Sequence, residues 1–75
     1  MKEIKLGKYQ HYKGNFYELI HIGTHSDTLE KYIVYKGLYD SEEFGTNPIW
    51  VKSKEEFFKD VIIDGKEVPR FRFIN

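Results

Sequence analysis

The chain contains no cysteine and no alanine, carries no net charge, and has no long apolar run. Without cysteine there is no disulfide framework, thiolate zinc site, iron–sulfur cluster or thiol nucleophile, so side-chain packing alone must hold the fold. Without alanine, and with six Tyr, six Phe and one Trp, the composition favours strands over helices. The 12 Lys and Arg balance 12 Asp and Glu, which removes the bulk attraction to nucleic acid or anionic membrane that a uniformly basic chain has. The longest nearly uncharged stretch, residues 19–26, holds two histidines and a glycine. That falls far short of the roughly 18 to 20 apolar residues of a membrane span. The opening residues Met1 to Gly7 lack the apolar stretch of about 7 to 15 residues that a secretory signal needs. The expectation is a soluble, cytoplasmic protein without a membrane partner. Its 75 residues have room for one domain, residues 1–75.

What is present reads mostly as strands. Lys13-Gly14-Asn15 supplies residues that tolerate positive φ, so Tyr9–Tyr12 and Phe16–His25 are the arms of a hairpin. Both faces of the second arm are partly apolar, with Gly23 as the place where it bends. Ser26-Asp27-Thr28 is a turn, and Lys31 to Leu38, centred on Ile33-Val34-Tyr35, is a second long strand. The acidic, turn-rich segment from Asp40 to Pro48 reads as the longest loop. Ile49-Trp50-Val51 is a short strand. Ser53, three residues before Glu56, forms the capping-box spacing of a helix over about Lys54 to Lys59, with Phe57 or Phe58 on the core. Asp64-Gly65 between Val61-Ile62-Ile63 and Lys66-Glu67-Val68 predicts a two-residue type I′ hairpin. Phe71 and Phe73 alternate with Arg70 and Arg72 in a final strand beyond Pro69. Five to six antiparallel strands with one short helix near residues 54–59 predict a mainly β, small SH3-like barrel or roll, since closure hides sheet edges. An OB-type barrel, or an open antiparallel sheet with a helix packed on it, satisfies the same pattern.

One resemblance covers nearly the whole chain. Residues 7–17 (Gly7-Lys8-Tyr9-Gln10-His11-Tyr12-Lys13-Gly14-Asn15-Phe16-Tyr17), His25-Ser26-Asp27-Thr28-Leu29-Glu30, Val34-Tyr35, Leu38-Tyr39, Trp50-Val51, Asp64-Gly65 and Val68-Pro69-Arg70-Phe71 resemble the small bacterial family catalogued as domain of unknown function 1653 (DUF1653). The resemblance implies short cytoplasmic proteins or appended modules without an established activity. Two blocks depart from that family's pattern: Tyr35-Lys36 stands where it reads tyrosine then glutamine, and Trp50-Val51-Lys52-Ser53 where it reads tryptophan, valine, arginine, proline. Lys52 keeps the positive charge without the two-pronged donor of arginine.

Three kinds of chemistry are open to these residues. His21 and His25, four apart on a strand, stand about 13 Å apart at roughly 3.3 Å per residue. They do not chelate one ion, so no metal and no cofactor is expected. A hydrolase or transferase using His11 or His25 as general base, with Ser26 or Thr28 as nucleophile and Asp27 orienting the ring, requires both imidazoles to approach one pocket. His25 beside Ser26 and Asp27 reads better as turn chemistry. Paired Glu42-Glu43 and Glu55-Glu56 read as solvated faces, and no glycine-rich phosphate loop is present. Aromatic recognition remains, because Tyr9, Tyr12, Tyr17, Tyr35, Tyr39 and Trp50 bring more polar-tipped rings than a small core buries. The plain alternative is that these rings only roof the core. Charge is also uneven: residues 1–15 hold four lysines against one glutamate, and residues 40–43 hold three acids.

The leading expectation is a non-catalytic binding module for a nucleotide, single-stranded nucleic acid or peptide. Its surface would combine His11, the His25-Ser26-Asp27-Thr28 turn, Tyr35, Trp50 and Arg70. A structural or dimerisation unit is the third class, so monomer and homodimer both stay open.

Overall fold

A computed structural model describes residues 4–75. Lys2 and Glu3, which enter the charge count of the opening segment, lie outside them, as does the start of the stretch read for a signal. The described chain is mainly β and antiparallel. Strands β1 (Gly7–His11), β2 (Phe16–Thr24), β3 (Lys31–Gly37), β6 (Ile49–Ser53) and β9 (Phe71–Phe73) form one sheet in the order β6-β3-β2-β1-β9. Two small hairpins stand apart from it: β4 (Asp40–Ser41) with β5 (Gly45–Thr46), and β7 (Asp60–Ile63) with β8 (Lys66–Pro69).

Local chemistry explains the joints. Gly14, at φ +112°, turns β1 into β2. Asp64 and Gly65 both have positive φ, at 51° and 77°, as a type I′ turn demands. The Ser53 hydroxyl accepts the Glu56 N–H at 3.2 Å and starts α1 (Lys54–Phe57), two residues shorter than its sequence pattern predicts. The segment read as a long loop contains the β4–β5 hairpin, held where Ser41 Oγ accepts the Phe44 N–H at 3.0 Å. The bend in β2 is a bulge between Leu19 and His21 and not at Gly23. Leu19 pairs with Tyr35 and Ile22 with Ile33, so the bulge keeps both on the core face and turns His21 to the opposite one.

No closed barrel is found among the described residues, because the strand order ends at β6 and β9 without pairing between them. Aromatic rings close the gap instead of ladder hydrogen bonds. Phe57 of α1, fully buried, stacks on Phe71 of β9 with centroids 4.1 Å apart and planes at 1°. Both rings pack edge-on against Tyr35 of β3, at 5.2 and 5.5 Å. The sheet therefore curls until its outer strand β9 meets β3 across the core, and Tyr9, Leu19, Ile33, Tyr35, Phe57 and Phe71 are its buried centre. Of the two phenylalanines predicted for the helix, Phe57 is the one buried, while Phe58 is exposed. No helix among the described residues is long and apolar enough to cross a membrane.

Candidate functional site

Four of the eight residues singled out from sequence share the core face of the sheet or its margin. Alternation along β1 puts His11 on the same face as Tyr9, and register pairs Tyr35 with Trp50 and His11 with Phe71. The His11 ring packs on Phe71 (4.9 Å) and Tyr17 (6.2 Å), and Tyr17 packs on Tyr35 (5.5 Å) and Tyr39 (5.6 Å). Trp50 Nε1–H donates to the Tyr39 hydroxyl at 3.1 Å, and the Tyr39 and Tyr17 hydroxyls lie 3.4 Å apart. Phe44 packs edge-on against Trp50 at 5.0 Å, and Tyr12 lies tilted on His11 at 4.5 Å. A continuous run of rings thus leads from the β4–β5 hairpin through Trp50, Tyr39 and Tyr17 to His11.

The electrostatics of this run are one-sided. Burial, reinforced by the charges of Arg70, Lys13 and Lys52, lowers the His11 pKa below its ordinary 6.5. Consistent with a neutral ring, His11 Nδ1 accepts the Lys13 N–H at 3.1 Å, which leaves the ring proton on Nε2. Burial pushes Tyr17 up to about 12, helped by its hydrogen bond and charge coupling to Tyr39 and opposed by Asn15. Tyr35 is also raised, first by burial, with Arg70 acting in the opposite sense. The Arg70 Nε–H is buried and donates to no atom among the described residues. Among the described residues the one ion pair is Lys36 with Glu18, at 3.3 Å and on the other face of the sheet, so no carboxylate neutralises Arg70, Lys13 or Lys52.

The other four residues go elsewhere. His25, Ser26, Asp27 and Thr28 are all exposed in the β2–β3 turn, while His11 meets β2 at its opposite end, beside Tyr17. His25 Nδ1 accepts the N–H of Asp27 (3.2 Å) and of Thr28 (3.3 Å), and Thr28 Oγ1 accepts that of Glu30 (3.3 Å). Turn capping is thus present, performed by the imidazole and the threonine and not by the Asp27 carboxylate. A single pocket holding both His11 and His25, which a general-base pair requires, does not form. Among the described residues no three His, Asp or Glu side chains gather as metal ligands do.

Tyr17, Tyr39 and Lys52 belong to the ring-lined face and were not among the residues singled out. Tyr17 and Tyr39 stand among the polar-tipped rings of the sequence without a place on the expected surface, because what joins them is a contact across 22 residues. One signal was local: Gly37 has Tyr39 ring atoms 2.7 Å from where a Cβ would stand. Two clefts border this face. One of about 840 Å³ lies between α1 and β9, lined by Tyr9, Phe58, Phe71 and Phe73. Another, of about 660 Å³, lies between His11, Tyr12 and the β7–β8 hairpin.

Comparison with known proteins agrees with this architecture. No curated protein matches the chain. A crystal structure of a DUF1653 protein from Bordetella bronchiseptica superimposes with a TM-score of 0.83 at 25% sequence identity, over 96% of this chain and 88% of that one. The model of the family described as "Protein of unknown function (DUF1653)" matches residues 7–73, and the chain belongs to that family.

Proposed function

We propose that the protein is a non-catalytic binding module that takes a nucleotide on its ring-lined face. The observation that carries this reading is the juxtaposition of a continuous aromatic run with three cations that no carboxylate among the described residues neutralises. Flat, partly open rings suit a base: Tyr12 is 38% and Phe44 56% exposed, one at each end of the run. Arg70, Lys13 and Lys52 suit the phosphate. Trp50 is the only tryptophan, so its fluorescence reports this face alone. Titration with adenosine monophosphate at low salt is expected to quench it saturably, and to weaken steeply as salt rises. Unchanged fluorescence across nucleotides and short oligonucleotides at low salt removes the reading.

A second reading, a dimerisation unit, is favoured by one feature. Strand β6 is an outer strand whose Ile49 and Val51 are 55% and 63% exposed. Its signature is a sedimentation coefficient that rises with concentration, and a constant monomer value over a wide range excludes it.

A further inference from the structure

We propose that Arg70, Lys52, His11 and Tyr17 form a seat for a phosphate monoester dianion. The seat rests on the reading of this face as a ligand surface and specifies which part of the ligand the protein holds. Hydrogen-bond inventory carries the inference. Trp50 Nε1–H can only donate, so the Tyr39 oxygen accepts from it at 3.1 Å. One phenol proton bridges the Tyr39 and Tyr17 hydroxyls across 3.4 Å, donated by either of them, and the other phenol proton is free. His11 spends its one acceptor, Nδ1, on the Lys13 N–H, so it offers only Nε2–H. Arg70 and Lys52 have donors alone, and the Arg70 Nε–H is buried and donates to no atom among the described residues. Arg70, Lys52 and His11 therefore offer donors alone, and the element that complements them is an acceptor.

Charge and shape narrow that acceptor. Arg70 and Lys52 bring two positive charges with no carboxylate partner among the described residues. A dianion complements them, and three terminal oxygens at tetrahedral angles accept from several directions, whereas a carboxylate accepts in one plane. Lys52 serves as a point charge on phosphate, a role lysine fills without a bidentate fork. A buried N–H left without a partner disfavours the empty state, and a bound phosphate oxygen relieves it.

The test uses inorganic phosphate itself, titrated into the isotopically labelled full chain near pH 7.5 with chloride as the ionic-strength control. The Arg70 Nε–H and Trp50 Nε1–H resonances are expected to shift saturably with phosphate and not with chloride. Lys52→Gln and Arg70→Lys are each expected to weaken binding by about tenfold or more, and Lys31→Gln, at the exposed start of β3 beside the His25 turn, to leave it unchanged. Lys52 lies on an outer strand, so its variant reports even where Arg70→Lys disturbs folding. Resonances that do not move, or that move equally with chloride, overturn the seat even where adenosine monophosphate quenches Trp50. Saturable phosphate binding that adenosine does nothing to strengthen supports the seat while removing the nucleotide reading.

Discussion

At the scale of single residues, Gly37 and His11 do the most to hold the ring-lined face in shape. The Tyr39 phenol lies across β3 where a side chain at position 37 would stand, and the Gly37 N–H is bonded to the Pro48 carbonyl at 2.8 Å, so neither can move aside freely. Gly37→Ala is expected to expel the phenol, break the Trp50–Tyr39 bond and cost about 1–3 kcal/mol of stability, as overpacking does. Denaturant unfolding measures the cost and the Trp50 indole resonance the broken bond. His11 has a folded pKa below its unfolded value near 6.5, so its contribution to stability is fully present above that value. It is lost as pH falls toward the folded pKa, because the unfolded chain takes up the proton first. Stability should therefore decline as pH falls below about 6.5, and His11→Asn, which keeps an acceptor for the Lys13 N–H, should flatten that decline. An equal slope in both proteins contradicts it.

At the scale of elements, the helix after β6 decides the architecture despite its single turn. Its Phe57 stacks on Phe71 and fills the opening that strand pairing leaves between β6 and β9. Phe57→Ala should cost about 3–5 kcal/mol, since it empties the centre of the core, whereas Ser53→Ala should cost about 1 kcal/mol by removing one cap. Thermal unfolding that ranks the two in the opposite order contradicts this division. Elements with local causes were legible in the sequence: Asp64-Gly65 dictates its turn through positive φ, and Ser53 with Glu56 marks the helix start. The bulge between Leu19 and His21 was not, because either alternation of β2 looks half apolar until Ile33 and Tyr35 are set opposite it. The open sheet with a helix packed on it was one arrangement the pattern allowed, but nothing local selects it over a barrel until strands β6 and β9 are seen unpaired with Phe57 stacked on Phe71 between them.

At the scale of the whole molecule, zero net charge conceals a division between regions. Lys13, Lys52 and Arg70 act together on His11, Lys36 and Glu18 pair on the opposite face, and Glu42 and Glu43 lie exposed in the β4–β5 hairpin. The same division explains which candidate residues sequence reasoning united wrongly. His11 and His25 stand in similar short motifs, but β2 runs between them and sends one to the aromatic face and the other to an exposed turn. Tyr17 and Tyr39, named among the rings of the sequence, had no place on the expected surface because only the fold brings them to Trp50. The measurement that tests the central claim most directly is a map of backbone and side-chain resonance shifts on adding adenosine monophosphate at low salt. Saturable shifts confined to His11, Tyr17, Tyr39, Trp50 and Arg70, with the His25 turn unmoved, are the predicted result. Shifts centred on the His25 turn, or no saturable shift anywhere, would contradict it.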